Sequence, residues 1–334
     1  MTIMNAKPAV SAIIVNWNGA RHLRTCLPSL LSQSFASLEV IVVDNDSKDD
    51  SAEVAREFQV RWLPLDKNAG LAPALNRGAA MAVGDFLLFI NNDMRFDPGF
   101  VAALVEPLEK NEEIFATDGM QFNWDGSERG HLAARLARSR PRGRSSTELV
   151  PGLYFYQREV PEKSQVFTAS AACMLARRSF FEKLGGFDDR LPLGYEDIEI
   201  CWRAWIQKWK TVYVPTAICW HRVGSSGRSV EGMRINFRGI LQGRLLLATK
   251  LLPLRYAART WLISTAALAK DIGRLRWQFA KDRIGTLAGL VGILPELLRE
   301  RRMLFRAACI TPAQQLNLLL RFSDEDADAR RSVS

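Results

Sequence analysis

Short apolar runs alternate with stretches of helical periodicity through the first 90 residues of the chain. The apolar runs are rich in β-branched residues, which is typical of buried strands. They cover residues 9–16, 38–43, 60–65 and 85–90. The helical patterns between them cover residues 21–32, 51–58 and 72–82. Strand and helix therefore alternate, which predicts a doubly wound α/β domain with a mostly parallel sheet.

The pattern is less regular after residue 90. We predict strands over residues 166–175 and 211–215, and helices over residues 180–184 and 198–208. Residues 129–144 are basic, contain Pro and Gly, and show little apolar periodicity. We therefore predict a mobile surface loop there.

The character of the chain changes near residue 230. Amphipathic helical patterns follow, with Arg between apolar residues, over residues 237–252, 256–279 and 284–305. The residues from Ser323 onward are few and polar, which predicts disorder. The expected organisation is an α/β domain over residues 1–228, a basic helical region over residues 229–322 and a disordered tail over residues 323–334.

The net charge of +9 is concentrated in the helical region. Between Arg228 and Arg306 there are 16 Lys and Arg residues against 5 Asp and Glu, so the rest of the chain is nearly neutral. A local excess of this kind indicates a partner: anionic lipid or an acidic substrate first, nucleic acid second. A homodimer interface and a helical cap on the α/β domain are equally open explanations.

Cysteine usage and hydropathy bear on the compartment. The chain has five cysteines and no Cys-x-x-Cys pair, which argues against a disulfide framework or a zinc cage and favours a reducing compartment. The first ten residues have no long apolar stretch, and no run of about 18 uncharged apolar residues occurs. We therefore expect a cytoplasmic protein that does not span a membrane, located at the inner membrane face if the basic region binds lipid.

Polar clusters follow the predicted strands, and ligands of doubly wound sheets bind beyond the carboxyl ends of the strands. The clusters are Asn16-Trp17-Asn18, Asp44-Asn45-Asp46-Ser47 and Asn91-Asn92-Asp93. Asp44 can accept a hydrogen bond from a base or a ribose, and Asp93 can hold a hard divalent cation. Both carboxylates can equally cap a turn or a helix, so neither cluster by itself establishes a ligand-binding site.

Three further motifs are ambiguous when taken singly. The basic turn over residues 67–72, with Asn76 after it, can contact phosphates or serve as an ordinary connection. One carboxylate of the Glu196-Asp197 pair can act as a general base, or both can complement a helix dipole. His221, which precedes Gly224-Ser225-Ser226, can ligate a metal or be structural.

Two classes of nucleotide-binding protein are disfavoured. The turn after the first strand, residues 16–20, lacks Gly-x-Gly-x-x-Gly, and no Walker-type Gly-Lys-Ser/Thr occurs. An NAD enzyme and a P-loop NTPase are therefore not expected. Recognised nucleic-acid modules are also missing from the sequence, so we expect no nucleic acid partner.

In order, these clusters resemble the inverting glycosyltransferases of family 2, over about residues 9–226. Residues 10–18 and 42–47 resemble that family's first two nucleotide-contacting strands, and Asn91-Asn92-Asp93 stands where the family has Asp-x-Asp. Gly185-Gly186-Phe187-Asp188 followed by Glu196-Asp197 resembles its acceptor-side signature. His221 with its following loop is similar to the metal-linked histidine of the rhamnosyl- and galactofuranosyl-transferring members.

The resemblance implies a GT-A fold and a metal-assisted single displacement. Asp197 would take the acceptor proton, and Glu196 would orient the acceptor or the base. Mg²⁺ or Mn²⁺ would lie on the donor diphosphate, held by Asp93, His221 and Asn91. The nucleotide-sugar would be bound by Asn16, Asp44, Asn45, Asn68, Asn76 and Asn92. Because Asn91 replaces a carboxylate, we expect weaker metal affinity than the family pattern gives.

The implied reaction moves rhamnose or a similar hexose from a dTDP- or UDP-sugar to a hydroxyl of a saccharide or lipid-linked saccharide acceptor. Such a reaction belongs to bacterial cell-surface polysaccharide synthesis, and residues 125–165 would form the acceptor loop. The alternative is a non-catalytic sugar- or lipid-binding scaffold of the same fold. The presence of Asp93 and of the Glu196-Asp197 pair argues against that alternative.

Overall fold

The computed structural model describes residues 8–126, 129–131, 133–141, 146–158, 162–222 and 230–328. The described residues form a ten-stranded mixed sheet, a separate three-stranded sheet and helices that pack on both. The strand order of the large sheet along its main path, with strands numbered along the chain, is β11-β13-β6-β12-β4-β1-β2-β3.

The predicted alternation of strands and helices in the first part of the chain is confirmed. Its elements are β1 (Val10–Asn16), α1 (Ala20–Leu31), β2 (Leu38–Asp44), α2 (Ser51–Glu57), β3 (Arg61–Pro64), α3 (Leu71–Met81) and β4 (Phe86–Asn91). The four strands are parallel. Helices cover both faces, and neighbouring residues such as Ile13 and Ile14 are buried in different hydrophobic clusters. A strand buried on both faces reads as a continuous apolar run, which is why the sequence pattern was clear.

The middle of the chain completes the sheet. Its elements are β5 (Met94–Phe96), α4 (Phe100–Lys110), β6 (Ile114–Asn123), β7 (Arg129–His131), β8 (Ala133–Ala137), β9 (Ser146–Val150), β10 (Leu153–Arg158), β11 (Ser164–Val166), β12 (Cys173–Arg177), α5 (Arg178–Leu184), α6 (Glu196–Ile206) and β13 (Lys210–His221). Strand β12 is antiparallel to β4 and β6, whereas β13 runs parallel to β6.

One prediction for this part of the chain was wrong, and two predicted strands have different bounds in the structure. Residues 129–144 contain strands β7 and β8, and β8 forms a sheet with β10 and β9. Residues 133–136 are fully buried there, including Arg135, so basic side chains had concealed a strand. Residues 166–175, predicted as one strand, comprise the last residue of β11, a turn and the beginning of β12. Strand β13 continues past Pro215 because its register with β6 shifts between Val214 and Ile218, which accommodates the proline.

Four helices end the chain: α7 (Val230–Leu251), α8 (Leu254–Gly273), α9 (Trp277–Ala307) and α10 (Pro312–Asp328). The second predicted helix ends six residues early, at Gly273, and Leu275 adopts a left-handed conformation with φ of 56°. The disorder that we expected from Ser323 is wrong for residues 323–328. Buried Leu316, Leu319 and Leu320 anchor α10, and no Gly or Pro interrupts the backbone after them.

The C-terminal helices share a hydrophobic core with the three-stranded sheet and with α6. The shared cluster includes Leu136, Leu153, Trp202, Leu245 and Leu319. This packing fixes α6, which begins with Glu196, against α7 and α10. Within the described ranges, none of the helices combines the length and the apolarity that a membrane span needs.

Candidate active site

The carboxyl ends of β1 and β2 place Asn16 and Asp44 side by side, as register partners. Asn16 Nδ2 lies 3.4 Å from Asp44 Oδ1 and donates to Ser51 Oγ at 2.9 Å. The backbone N–H of Ser47 donates to Asp44 Oδ2 at 3.1 Å. The Asp44 carboxylate is therefore held in one orientation at the edge of the sheet, where it can accept further hydrogen bonds from a ligand.

A second amide side chain joins the end of β1 to the loop after β4. Asn92 Nδ2 donates to Asn16 Oδ1 at 2.7 Å. A Cβ atom at Gly19 would lie 2.1 Å from Asn92 Nδ2, so the contact requires glycine at position 19. The structure thus brings Asn16, Asp44 and Asn92 together, as we expected for a nucleotide site.

Asn45 and Asn68 connect the end of β2 to the turn before α3. Asn45 Nδ2 donates to Asn68 Oδ1 at 3.1 Å, and the Ala69 N–H donates to Asn45 Oδ1 at 2.7 Å. Asn68 is exposed, whereas Asn45 is buried. The pair adjoins the Asp44 cluster and shapes the turn that borders it.

Asn76 lies apart from these residues. Its amide donates to the Phe187 carbonyl at 2.9 Å and to Asp189 Oδ1 at 2.7 Å, and it accepts from the Phe187 N–H at 3.0 Å. These bonds tie α3 to the Gly-Gly-Phe-Asp turn. Asn76 therefore acts as a brace between α3 and that turn, and its binding of the nucleotide-sugar stays a prediction.

Asn91, Asp93 and His221 converge although 130 residues separate the first from the last. His221 Nε2 lies 3.1 Å from Asp93 Oδ1 and 3.3 Å from Asn91 Nδ2. The approach is produced by β5, which follows Asp93 directly and pairs with the end of β13 so that Met94 faces His221. The predicted loop residues Gly224-Ser225-Ser226 lie outside the described residues.

The chemistry of this trio suits a small divalent cation. A carboxylate oxygen, an imidazole nitrogen and an amide oxygen are accepted ligands of Mn²⁺ and Mg²⁺. A half-turn of the Asn91 amide would aim Oδ1 at the cation, and the two orientations are equivalent in shape. Within the described part of the chain, no group of three or more His, Cys, Asp and Glu side chains could hold a metal ion, and the Asn91 amide is the third polar side chain beside Asp93 and His221.

Glu196 and Asp197 open α6, and their surroundings differ. Glu196 is buried and accepts hydrogen bonds from the N–H groups of Gly194 and Tyr195. Burial, and next the charge of Asp197, raise the pKa of Glu196 to about 8. Asp197 is half-buried and accepts from the Ala171 N–H at 3.3 Å and the Ile198 N–H at 2.7 Å. Near pH 7 Glu196 is therefore mostly protonated.

The turn before β12 connects the two halves of the site. Its Ala171 N–H reaches Asp197, and its Ala172 carbonyl accepts from the Asn91 N–H at 3.4 Å. The Ser170 N–H donates to the buried Asp118 at 3.2 Å. One short turn, residues 170–172, thus contacts both Asp197 and Asn91, the last residue of β4. This turn falls where we had predicted a continuous strand.

A buried ionic network behind α6 was not foreseen. Lys250 Nζ lies 2.7 Å from Asp188, 2.8 Å from Glu199 and 3.5 Å from Glu300. Although burial acts in the opposite sense, hydrogen bonds and charges from Arg190 and Lys250 hold the pKa of Asp188 well below its usual value. The sequence offered a partial signal, since Glu199 and Arg203 are spaced i, i+4 on a helix and pair at 2.7 Å. No local pattern could have pointed to Lys250.

His22 on α1 is a further neighbour of the Asn91 trio that we did not predict. Burial lowers the pKa of His22, while the nearby charge of Asp93 acts to raise it and that of Arg222 acts to lower it. A lone histidine on an amphipathic helix gives no sequence signal of such proximity.

Two solved structures share this architecture. GalNAc-T7 with UDP, GalNAc and Mn²⁺ superposes with a TM-score of 0.60 at 19% identity, over 83% of this chain and 55% of that chain. The mannosyltransferase PcManGT from Pyrobaculum calidifontis, in complex with GDP-Man and Mn²⁺, gives a TM-score of 0.53 at 16% identity, over 95% of this chain and 85% of that chain. At these identities the likeness shows the fold, and the fold is GT-A.

The chain belongs to glycosyl transferase family 2, whose model matches residues 11–185. It is 30% identical, over 65% of its length and 77% of the relative's, to the N-acetylglucosaminyl-diphospho-decaprenol L-rhamnosyltransferase of Mycobacterium tuberculosis. It is 23% identical to the poly-beta-1,6-N-acetyl-D-glucosamine synthase of Staphylococcus epidermidis, over 63% of this chain and 49% of that protein. The resemblance stated from the sequence motifs is confirmed, and the protein is a glycosyltransferase.

Proposed function

We propose that the protein transfers rhamnose or a similar hexose, with inversion, from a dTDP- or UDP-sugar to a hydroxyl of a saccharide linked through diphosphate to a lipid. The relative from Mycobacterium tuberculosis carries rhamnosyl transfer and such an acceptor in its name, and this chain spans 77% of it. The observation that carries the proposal within the chain is the position of Asp197 beside the turn that contacts Asn91. Cell-surface polysaccharide synthesis is the process that this reaction would serve.

Each group has a distinct task in the proposed reaction. The acceptor oxygen attacks the anomeric carbon while the bond from that carbon to the donor phosphate oxygen breaks. Asp197 takes the proton of the acceptor hydroxyl, because it is the more accessible of the two carboxyl groups and burial keeps Glu196 mostly protonated. Glu196 is mostly neutral near pH 7, so it adds no second negative charge to the pocket beside Asp197. A single displacement without an enzymic nucleophile inverts the anomeric carbon.

The donor would lie along the carboxyl edge of the sheet. Asp44 and Asn16 face the nucleoside, with Asn45, Asn68 and Asn92 shaping the walls of its site. Asp93, His221 and Asn91 would hold Mg²⁺ or Mn²⁺ on the diphosphate. When bound, the cation offsets the charge that develops on the leaving nucleoside diphosphate.

Nucleotide binding with and without metal tests the proposal. We expect dTDP or UDP to raise the melting temperature, and Mn²⁺ to increase the shift. Ligand at about 100 times its Kd stabilises the folded state by about 2.7 kcal/mol. The Asp93→Asn variant should lose the increase caused by Mn²⁺, because it removes the one carboxylate of the trio. The exposed Glu112→Gln variant is the charge-matched control and should behave as the wild type. A shift with NAD alone, or full transferase activity after exhaustive chelation, would contradict the assignment.

We further propose that the protein works at the cytoplasmic face of an anionic membrane, and that the turn between α8 and α9 makes the contact. The turn exposes three apolar side chains, Ile272, Leu275 and Trp277, at 41%, 72% and 56%. Exposed basic residues surround them: Lys270, Arg274, Arg276 and Lys281. Apolar side chains within a ring of cations suit the boundary between anionic headgroups and acyl chains. A lipid-linked acceptor would be reached from this position.

Replacing the apolar tip of the turn should release the protein from membranes. Leu275→Asn with Trp277→Ser removes two apolar anchors, and Asn tolerates the left-handed conformation at position 275. We expect the partition constant for anionic vesicles, measured by sedimentation, to fall roughly 100-fold or more, since each buried large apolar side chain contributes about 1.5–3 kcal/mol. Leu31→Asn, at an exposed apolar position on α1, is the matched control. Unchanged sedimentation of the double variant would place the membrane contact elsewhere or remove it.

A further inference from the structure

Two arginines and two tryptophans form a stack beside the Asn91 trio. Arg95 lies over the ring of Trp220 at 4.6 Å and over that of Trp124 at 5.0 Å, measured from the guanidinium carbon to the ring centroid. Arg222 lies over Trp124 at 4.3 Å. We call Arg95, Trp124, Trp220 and Arg222 the arginine–tryptophan stack. Its last member follows His221 directly and donates its N–H to the Asp93 carbonyl at 3.1 Å.

The register of the sheet places the stack on the face that α6 covers. Arg95 and Trp220 are cross-strand partners, and so are Trp220 and Phe122 of β6. Phe122 shares its side of β6 with Asp118, because the two are four residues apart on one strand. Asp118 in turn pairs with Met174, which packs with residues of α5 and α6. The stack and Asp197 therefore lie on the same side of the sheet.

The two guanidinium groups have unused capacity for an anion. Among the residues that the structure describes, neither Arg95 nor Arg222 has a carboxylate within 4.0 Å. Arg95 donates to the Trp124 carbonyl at 3.2 Å, but its Nε is buried and has no hydrogen-bond partner. The tryptophan rings hold both forks in place. A planar fork that is held in this way matches the oxygens of a phosphate group.

The position of the stack separates it from the nucleoside end of the site. The nucleoside cluster lies at β1 and β2, and the Asn91 trio lies between that cluster and the stack. A donor that extends from Asp44 to the trio has its diphosphate on the trio. A diphosphate bound at the stack would lie on the far side of the trio, on the face of Asp197. It would therefore be the diphosphate of the acceptor and not that of the donor.

We propose that the arginine–tryptophan stack binds the diphosphate of a glycosyl diphosphate acceptor and so selects acceptors that carry this group. The inference rests on the proposed function, in which the acceptor sugar is linked to lipid through diphosphate. In such an acceptor, only the sugar ring separates the attacking hydroxyl from the diphosphate. Holding the anion on Arg95 and Arg222 fixes the orientation in which that hydroxyl meets Asp197.

Equilibrium binding with two matched probes tests this assignment. The first probe is N-acetylglucosaminyl diphosphate with a short alkyl chain, and the second is the alkyl glycoside of the same sugar without phosphate. Titration calorimetry would compare the wild type with Arg95→Gln, Arg222→Gln and the charge-retaining Arg95→Lys. Arg24→Gln, which removes a surface arginine paired with Glu57, is the control. Binding of dTDP and UDP with Mn²⁺ would be measured in every variant.

We expect each Gln substitution to lower the affinity for the diphosphate probe by roughly 10- to 100-fold, the usual cost of hydrogen bonds lost from a charged group. Arg95→Lys should fall between, since the charge remains and the fork is lost. The phosphate-free glycoside and the nucleotides should bind each variant as they bind the wild type.

Three results would overturn the inference. Unchanged binding of the diphosphate probe would show that the stack does not contact it. An equal loss of affinity for both probes would show that the stack has only a structural role. Weakened nucleotide binding with an unaffected probe would assign the stack to the donor diphosphate. If the wild type binds the probe as expected yet transfers no sugar to it from any donor, the proposed function fails while the anion site stands.

Discussion

The Asp197→Asn variant is expected to lose sugar transfer while it continues to bind the nucleotide donor. Asn has nearly the same shape as Asp, and its single carbonyl oxygen can still accept from the Ile198 N–H, whereas the bond from the Ala171 N–H is lost. Asn cannot take a proton from the acceptor hydroxyl. General base catalysis contributes about 10²–10⁴-fold to rates, so kcat should fall by that factor. Initial rates with a saturating donor, together with donor affinity from calorimetry, measure both parts of the expectation.

The matched control for this variant is Glu112→Gln, which removes an exposed carboxylate far from α6 in sequence and should leave kcat unchanged. A wild-type rate in Asp197→Asn would transfer the role of base to another carboxylate, with Glu196 and Asp118 as the candidates. A fall in donor affinity without a fall in kcat would also contradict the assignment.

Replacement of Lys250 with Met should lower the free energy of unfolding by about 3–5 kcal/mol, the usual cost of removing one partner from a buried ion pair. Lys250 is buried among the carboxylates of Asp188, Glu199 and Glu300. Although burial opposes it, the charges of Glu199 and Asp188 raise the pKa of Lys250, so the amine is cationic. Methionine fills similar space but leaves Asp188 without its nearest amine and Glu199 with Arg203 alone.

Urea denaturation followed by tryptophan fluorescence measures the loss. Lys110→Met is the control, because Lys110 pairs with Glu106 on the exposed surface of α4 and such pairs contribute about 0–1 kcal/mol. A loss below about 1 kcal/mol in Lys250→Met would mean that the carboxylates are neutralised in the variant or that the network is weak. Because Lys250 belongs to α7 and Glu199 to α6, the same ion pair attaches the basic helical region to the helix that carries Asp197.

The first part of the fold could be predicted from sequence because its signals are local. Strands β1, β2 and β4 are buried on both faces, and the helices between the first four strands have clear periodicity. The polar residues that end these strands therefore had a predictable place, and Asn16, Asp44 and Asn92 meet there. The match of the family model to residues 11–185 covers this same part of the chain.

The rest depended on contacts between residues distant in sequence. Asn76 bonds to Phe187, 111 residues away, and no local pattern distinguishes that brace from a ligand contact. Arg135 is fully buried, so the basic composition around it concealed strand β8. The C-terminal tail was treated as disordered from its composition alone, whereas the anchor of α10 lies in the preceding Leu316 and Leu319.

The late position of His221 has a consequence for synthesis of the protein on the ribosome. Strands β1 and β2 can pair, and Asn16 can meet Asp44, once about the first fifty residues have emerged. The Asp93–His221 contact needs the end of β13, which follows more than a hundred residues later. A nascent or truncated chain that ends before β13 therefore cannot form the Asp93–His221 contact, however much of the earlier sheet has folded.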